Sequence, residues 1–78
     1  MDMLLQDIYL GKVLKSMRVE RKMSQSDLIR ELHLLGSTLS RSTYSKIEIG
    51  LGNLKISDLV FMKKVFDVDY ADFFKDFE

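Results

Sequence analysis

Apolar residues recur at helical spacing through most of this chain. Leu10, Leu14 and Met17 stand at i, i+4 and i+7, with Val13 widening the stripe. Lys12, Lys15 and Arg21 fall on the water side, which predicts a first amphipathic helix over about residues 7–22. Leu28, Ile29 and Leu32 mark a second helix. It opens at Ser24, whose hydroxyl suits a cap, with Asp27 three residues on as a capping-box partner. A third starts after Ser40, another cap residue, turns Tyr44 and Ile47 inward, and stops at Gly50, which tolerates left-handed backbone. Leu59, Val60, Met62 and Phe66 define a fourth, with Ser57 as its expected cap. Asp69 and Asp72 open a fifth, in which Tyr70, Phe73, Phe74 and Phe77 recur at i, i+3, i+4 and i+7. Tyr70 and Phe73 are expected to close the core, and Asp67 suits the left-handed turn between the last two helices. Proline is absent and no Val/Ile/Thr alternation occurs. The expected fold class is all-α: five short helices in a single domain over residues 1–78, with residues 1–6 as an N-terminal arm.

Composition narrows the function. A chain of 78 residues buries only about 60% of its unfolded surface, and the absence of cysteine excludes disulfides and thiolate metal sites. His33 is the only histidine, so neither a histidine metal cluster nor a catalytic dyad can be assembled within one chain. Asp67, Asp69 and Asp72 lack the central Gly and terminal Glu of a calcium loop, and capping accounts for them. No Ser or Lys has a neighbouring base to make it a nucleophile. No enzyme, metal or other cofactor is expected. No apolar run approaches the ~20 residues of a membrane span, and the N-terminus lacks a signal-peptide layout. A soluble cytoplasmic protein without a membrane partner is expected.

The net charge is zero but unevenly spread. Residues 1–50 carry +2 and residues 51–78 carry −2. A basic face backed by an acidic one would attract DNA in one orientation, although mixed charge is also ordinary solubility chemistry. With Tyr44 and Ile47 inward, the third helix presents Arg41, Ser42, Thr43, Ser45 and Lys46 outward. Arg pairs bidentately with guanine, Lys reaches guanine or phosphate, and short hydroxyls permit close approach. Gln25 sits in the first turn of the second helix, where backbone N–H groups and a side-chain amide can hold one phosphate together. Taken singly, each of these residues also reads as a cap or a solubility residue.

Taken together they converge. Leu10-Gly11-Lys12, Met17-Arg18, Met23-Ser24-Gln25-Ser26-Asp27-Leu28, Ser40-Arg41-Ser42-Thr43-Tyr44-Ser45-Lys46-Ile47-Glu48-Ile49-Gly50 and Val65-Phe66-Asp67-Val68 resemble the phage-repressor and Cro-like (Xre) helix-turn-helix family, over roughly residues 8–74. The resemblance implies a lambda-repressor-like domain whose helix-turn-helix unit spans residues 24–50. It implies a homodimer on double-stranded DNA with two half-sites. Arg41, Ser42 and Lys46 match base-reading positions, with Ser45 as a fourth. Gln25, Ser40, Thr43 and Lys55 match phosphate-contacting positions. Arg18 and Glu48 match a partly buried ion pair that belongs to the scaffold.

Four departures from that pattern stand out. The 33–39 connection is longer than the usual tight turn, so either the second helix extends or a loop bulges, anchored by Leu34, Leu35 and Leu39. Ile29 replaces a small residue and suggests wider helix separation. Ile49 takes a place often polar and near phosphate. The neutral charge predicts modest affinity per subunit and a shallow salt slope. The expected function is sequence-specific DNA binding as a bacterial or phage transcriptional regulator, acting as a repressor. The alternative is a protein-interaction module of the same fold, antitoxin-like or an anti-repressor partner, favoured by the neutral charge, Ile49 and the aromatic C-terminus. A dimer face is expected from the fifth helix and the arm, where Phe77 would meet Leu4, Leu5 and Ile8.

Overall fold

The computed structural model describes residues 4–77. In chain order they form β1 (Leu4–Leu5), α1 (Ile8–Glu20), α2 (Gln25–Leu35), α3 (Arg41–Glu48), β2 (Leu54–Lys55), α4 (Ile56–Phe66), α5 (Tyr70–Phe74) and a terminal 3-10 turn, Lys75–Phe77. Five helices surround one core, in which Leu14, Leu28, Leu32, Tyr44, Met62 and Phe73 are fully buried.

Most helix ends follow from local chemistry. The Asp7 carboxylate accepts the Tyr9 and Leu10 N–H groups at 2.8 and 3.0 Å. Ser24 and Asp27 form a reciprocal capping box, as do Asp69 and Asp72. The Ser40 hydroxyl accepts the Thr43 N–H. Asp67 takes the left-handed region at φ 55° and Gly50 follows α3 at φ 81°. The start of α4 departs from expectation. The helix begins at Ile56, with Lys55 rather than Ser57 in the cap position and no side-chain cap bond. The reason is the two-residue antiparallel ladder that pairs Leu4 with Lys55 and Leu5 with Leu54. That pairing fixes the backbone immediately ahead of α4.

The same ladder ties down the arm. Leu5 packs against the core, so the arm is bound to its own domain from residue 4 onward; its first three residues lie outside the described residues. Tyr9 meets Phe77 instead, edge to face at 6.4 Å between ring centroids. Tyr70, expected in the core, is 45% exposed, and Phe73 fills that place. Arg21, expected in water, donates to the Phe66 and Met17 carbonyls and lies over the Phe66 ring.

The long connection is resolved as a helical extension. α2 continues to Leu35 and ends at Gly36 with φ 112°. Extension swings Leu34 and Leu35 outward, to 77% and 43% exposure, and leaves only Leu39 as a buried anchor. The turn is held by polar pins instead. The Ser37 hydroxyl donates to Asp58 Oδ1 at 2.7 Å and accepts the Leu39 N–H at 3.0 Å. His33 Nε2 meets the Leu39 carbonyl at 2.6 Å.

α1 crosses α3 at Gly11. A side chain there would overlap the Ile47 carbonyl oxygen and come within 2.6 Å of that of Glu48. Gly11→Ala is therefore expected to lower stability by about 1–3 kcal/mol through overpacking, read as a lower midpoint in thermal unfolding by circular dichroism. An unchanged midpoint would mean that the two helices separate at no cost.

Candidate nucleic-acid interface

Tyr44 and Ile47 are buried on the inner side of α3, and Arg41, Ser42, Thr43, Ser45 and Lys46 are all exposed on the other. Eight residues of helix therefore carry two basic groups and three hydroxyls on one solvent-facing surface. The four proposed base readers share this surface. The phosphate set divides between its two flanks.

On the N-terminal flank, Ser40, Thr43 and Lys55 line a small cavity of about 180 Å3 together with Thr38 and Asn53. The Ser40 hydroxyl donates to Thr43 Oγ1 at 3.0 Å while capping α3. This leaves the Thr43 O–H as the outward donor of that pair. Asp58 closes the back of the cavity, held by Ser37. Asn53 lies in the 50–55 loop that the family resemblance places near phosphates, whereas Thr38, Ser37 and Asp58 carry no signal for this site in the sequence. Asp58 reads there as an ordinary first-turn acid of a helix, and nothing local points it at residue 37.

On the other flank stands Gln25. Its side-chain amide donates to Glu48 Oε1 at 3.0 Å, which ties the first turn of α2 to the last turn of α3. The other amide hydrogen is not used among the described residues. Glu48 is the hub. Arg18 reaches it with two parallel bonds, Nε to Oε2 at 2.7 Å and Nη2 to Oε1 at 3.1 Å, and donates a third from Nη1 to the Met23 carbonyl at 2.7 Å. Glu48 and Arg18 are only 5% and 9% exposed. The fork-to-fork arrangement is the strong form of such a pair. Burial pushes the Glu48 carboxyl up, but Arg18, with Tyr44 and Gln25, more than offsets this and holds it below the usual carboxylate range. Glu48 in turn raises the Arg18 guanidinium. The Tyr44 hydroxyl is buried beside the pair, close enough to interact with Glu48 but without a partner in good hydrogen-bond geometry among the described residues. Burial, then the nearby Glu48 charge, keep its proton on.

The site offers cations, hydroxyls and amide donors on a rigid helix. Among the described residues no group of His, Asp or Glu side chains is placed to hold a metal ion, and no helix is long and apolar enough to cross a membrane.

These features define a helix-turn-helix regulator. Residues 14–73 match the helix-turn-helix family, and the chain belongs to it, in its Xre/Cro-C1 type. The family and fold are those of DNA-binding transcriptional regulators, not of enzymes. Among solved structures, the chain is similar to the wild-type restriction-modification controller protein C.Esp1396I, at 31% identity and a TM-score of 0.71, covering 87% of this chain and 82% of that one. A mutant of that protein gives the same identity and TM-score over 80% of its length. Its tetramer in complex with a natural 35 base-pair operator gives a TM-score of 0.69, covering 87% of this chain and 83% of that one. No curated protein sequence matches.

Proposed function

We propose that this protein reads one duplex sequence as a homodimer and represses transcription from it in a bacterium or phage. One α3 enters the major groove of each half-site. Arg41, Ser42, Ser45 and Lys46 face base edges, while Ser40, Thr43 and Lys55 on one side and Gln25 on the other grip phosphates. The observation that carries this reading is the single exposed face of α3, with its inner face locked by the Arg18–Glu48 fork. Occupancy of a 35 base-pair operator by a tetramer of the similar controller protein supports duplex DNA as the partner and self-association on it.

The dimer contact is assigned to α5 and the start of α1. Phe74 and Phe77 lie 6.1 Å apart between centroids, and Tyr9 extends the cluster. Tyr9, Tyr70, Phe74 and Phe77 are 63%, 45%, 38% and 47% exposed, an aromatic surface that a partner would cover. Light scattering at high micromolar concentration is expected to give a dimer mass, and a strict monomer would remove this part of the reading.

Selection of bound duplexes from a random library at low salt tests the whole. The expected result is an enriched inverted repeat with half-site centres about 10–10.5 bp apart. Weak, salt-sensitive retention without any enriched sequence would favour the protein-interaction module instead.

A further inference from the structure

The Gly11 crossing sets α1 directly against the last turn of α3, and this places two lysines beside the reading surface. Ile8, Lys12 and Lys15 stand at i, i+4 and i+7 on the exposed side of α1. With Gln25, Ser45 and Ile49 they line one open groove of about 340 Å3 between α1, α2 and α3. We infer that Lys12 and Lys15 form a second phosphate-binding edge, holding the DNA strand on the Ser45 side of α3 while Thr43 and Lys55 hold the strand on the other. This rests on the DNA-reading function proposed above and extends its footprint onto α1.

The electrostatics favour an anion here. Among the described residues Lys15 has no acidic partner, and Lys12 is engaged only with the Tyr9 ring, 5.5 Å from its centroid. Glu48, the acid on the groove floor, is already neutralised by Arg18. Asp7, the N-cap of α1, is occupied by the helix N-terminal N–H groups, and Glu20, which shares a second groove with both lysines, lies 3.8 Å from Arg21. None of the other acids lines this groove, although Glu20, Asp72 and Asp76 share a neighbouring cavity with Lys12. Asp27 pairs with Arg30, Asp58 is buried in the turn, and Asp67, Asp69, Asp72 and Asp76 follow α4. Lys12, Lys15, Arg41, Lys46 and Lys55 border α3, and none of the five joins an ion pair among the described residues. The major groove is about 12 Å wide between its phosphate rows, so a helix lying in it needs cations on both flanks. Without α1, the Gln25 flank has an amide and no charge. The salt slope is therefore steeper than the net charge suggests.

The alternative role for these lysines is to complement the C-terminal dipole of α3. That role would change stability and leave the salt dependence of binding untouched. The test is fluorescence anisotropy of the full chain on its selected operator and on an unrelated duplex across a KCl series, with thermal melts alongside. Lys12→Gln with Lys15→Gln is expected to reduce the slope of log K against log[KCl] by about 0.9 per lysine. Near 0.1 M salt it should weaken both duplexes roughly eightfold per lysine, with the selected sequence unchanged. Lys12→Arg with Lys15→Arg should restore the slope. Lys22→Gln with Lys64→Gln, in the α1–α2 turn and α4, should leave it at the wild-type value. An unchanged slope in the first variant, with wild-type binding intact, overturns the inference alone. Failure of the wild-type chain to bind any duplex overturns it together with the DNA-reading function.

Discussion

Glu48→Ala is expected to cost about 3–5 kcal/mol of unfolding free energy, because it strands a buried guanidinium. Arg18 would lose both bonds of its fork while staying 9% exposed, and the Gln25 amide would lose its acceptor. Small domains hold only about 5–15 kcal/mol in total, so the loss would remove a large fraction of the stability margin. Urea unfolding followed by circular dichroism checks this. Glu48→Gln keeps an acceptor oxygen without the charge and should lose less. A wild-type midpoint in Glu48→Ala would show that the pair contributes nothing to stability.

The same pair makes the fold acid-labile. The folded Glu48 carboxyl titrates below its ordinary value near 4.5, so the folded state holds fewer protons than the unfolded state as pH falls. Its contribution is complete above the unfolded value and is lost as pH drops through the folded one. Asp27, lowered mainly by its bond to the Ser24 backbone N–H, acts in the same direction. The thermal midpoint should therefore hold from neutral pH to about 5 and fall below it. Glu48→Gln should flatten that fall. An equal acid dependence in the two proteins would locate the acid sensitivity elsewhere.

The second large effect falls on recognition. Arg41→Ala with Lys46→Ala should cost about 2–6 kcal/mol of operator binding, at about 1–3 kcal/mol for each base contact. That is roughly a thirtyfold to twenty-thousandfold rise in the dissociation constant. Both side chains are exposed and neither joins an ion pair among the described residues. Stability should therefore stay within about 0.5 kcal/mol of wild type. The two losses also separate by position, since Arg41→Ala alone should blur one base pair in each half-site and leave the rest sharp. If the double variant kept wild-type affinity and sequence preference, α3 would not be the reading helix.

The contrast between these variants reflects how differently the two kinds of residue appear in the sequence. The outward set on α3 is legible because Tyr44 and Ile47, three apart, fix which side of the helix faces in. Every other orientation follows from helical geometry. The caps at Ser24, Ser40 and Asp69 are equally local, since a short polar side chain bonds backbone only three residues away. Arg18 with Glu48 is different. They lie 30 residues apart in the chain, and only resemblance to the helix-turn-helix pattern suggested that they meet.

Where expectation and structure part, a long-range contact decided the outcome. Ser57 has the chemistry of a cap, yet pairing with Leu4–Leu5 brings the chain into α4 at Lys55. Leu34 and Leu35 look like anchors by hydropathy. The continuation of α2 to Gly36 turns them outward, and Ser37 holds the turn through Asp58, 21 residues away. Tyr70 has the same apolar character as Phe73, and only the docking of α5 on the core selects which of them is buried.

The sequence by itself determined the helices, the caps at Ser24, Ser40 and Asp69 and the polar face of α3, because each depends on residues within a turn or two of one another. Tertiary structure alone decided the β1–β2 ladder, the Ser37–Asp58 pin, the bond from Gln25 to Glu48 and the approach of the α1 lysines to α3. Those depend on which surfaces meet, and a backbone contact such as that at Gly11 leaves no periodic trace in the chain.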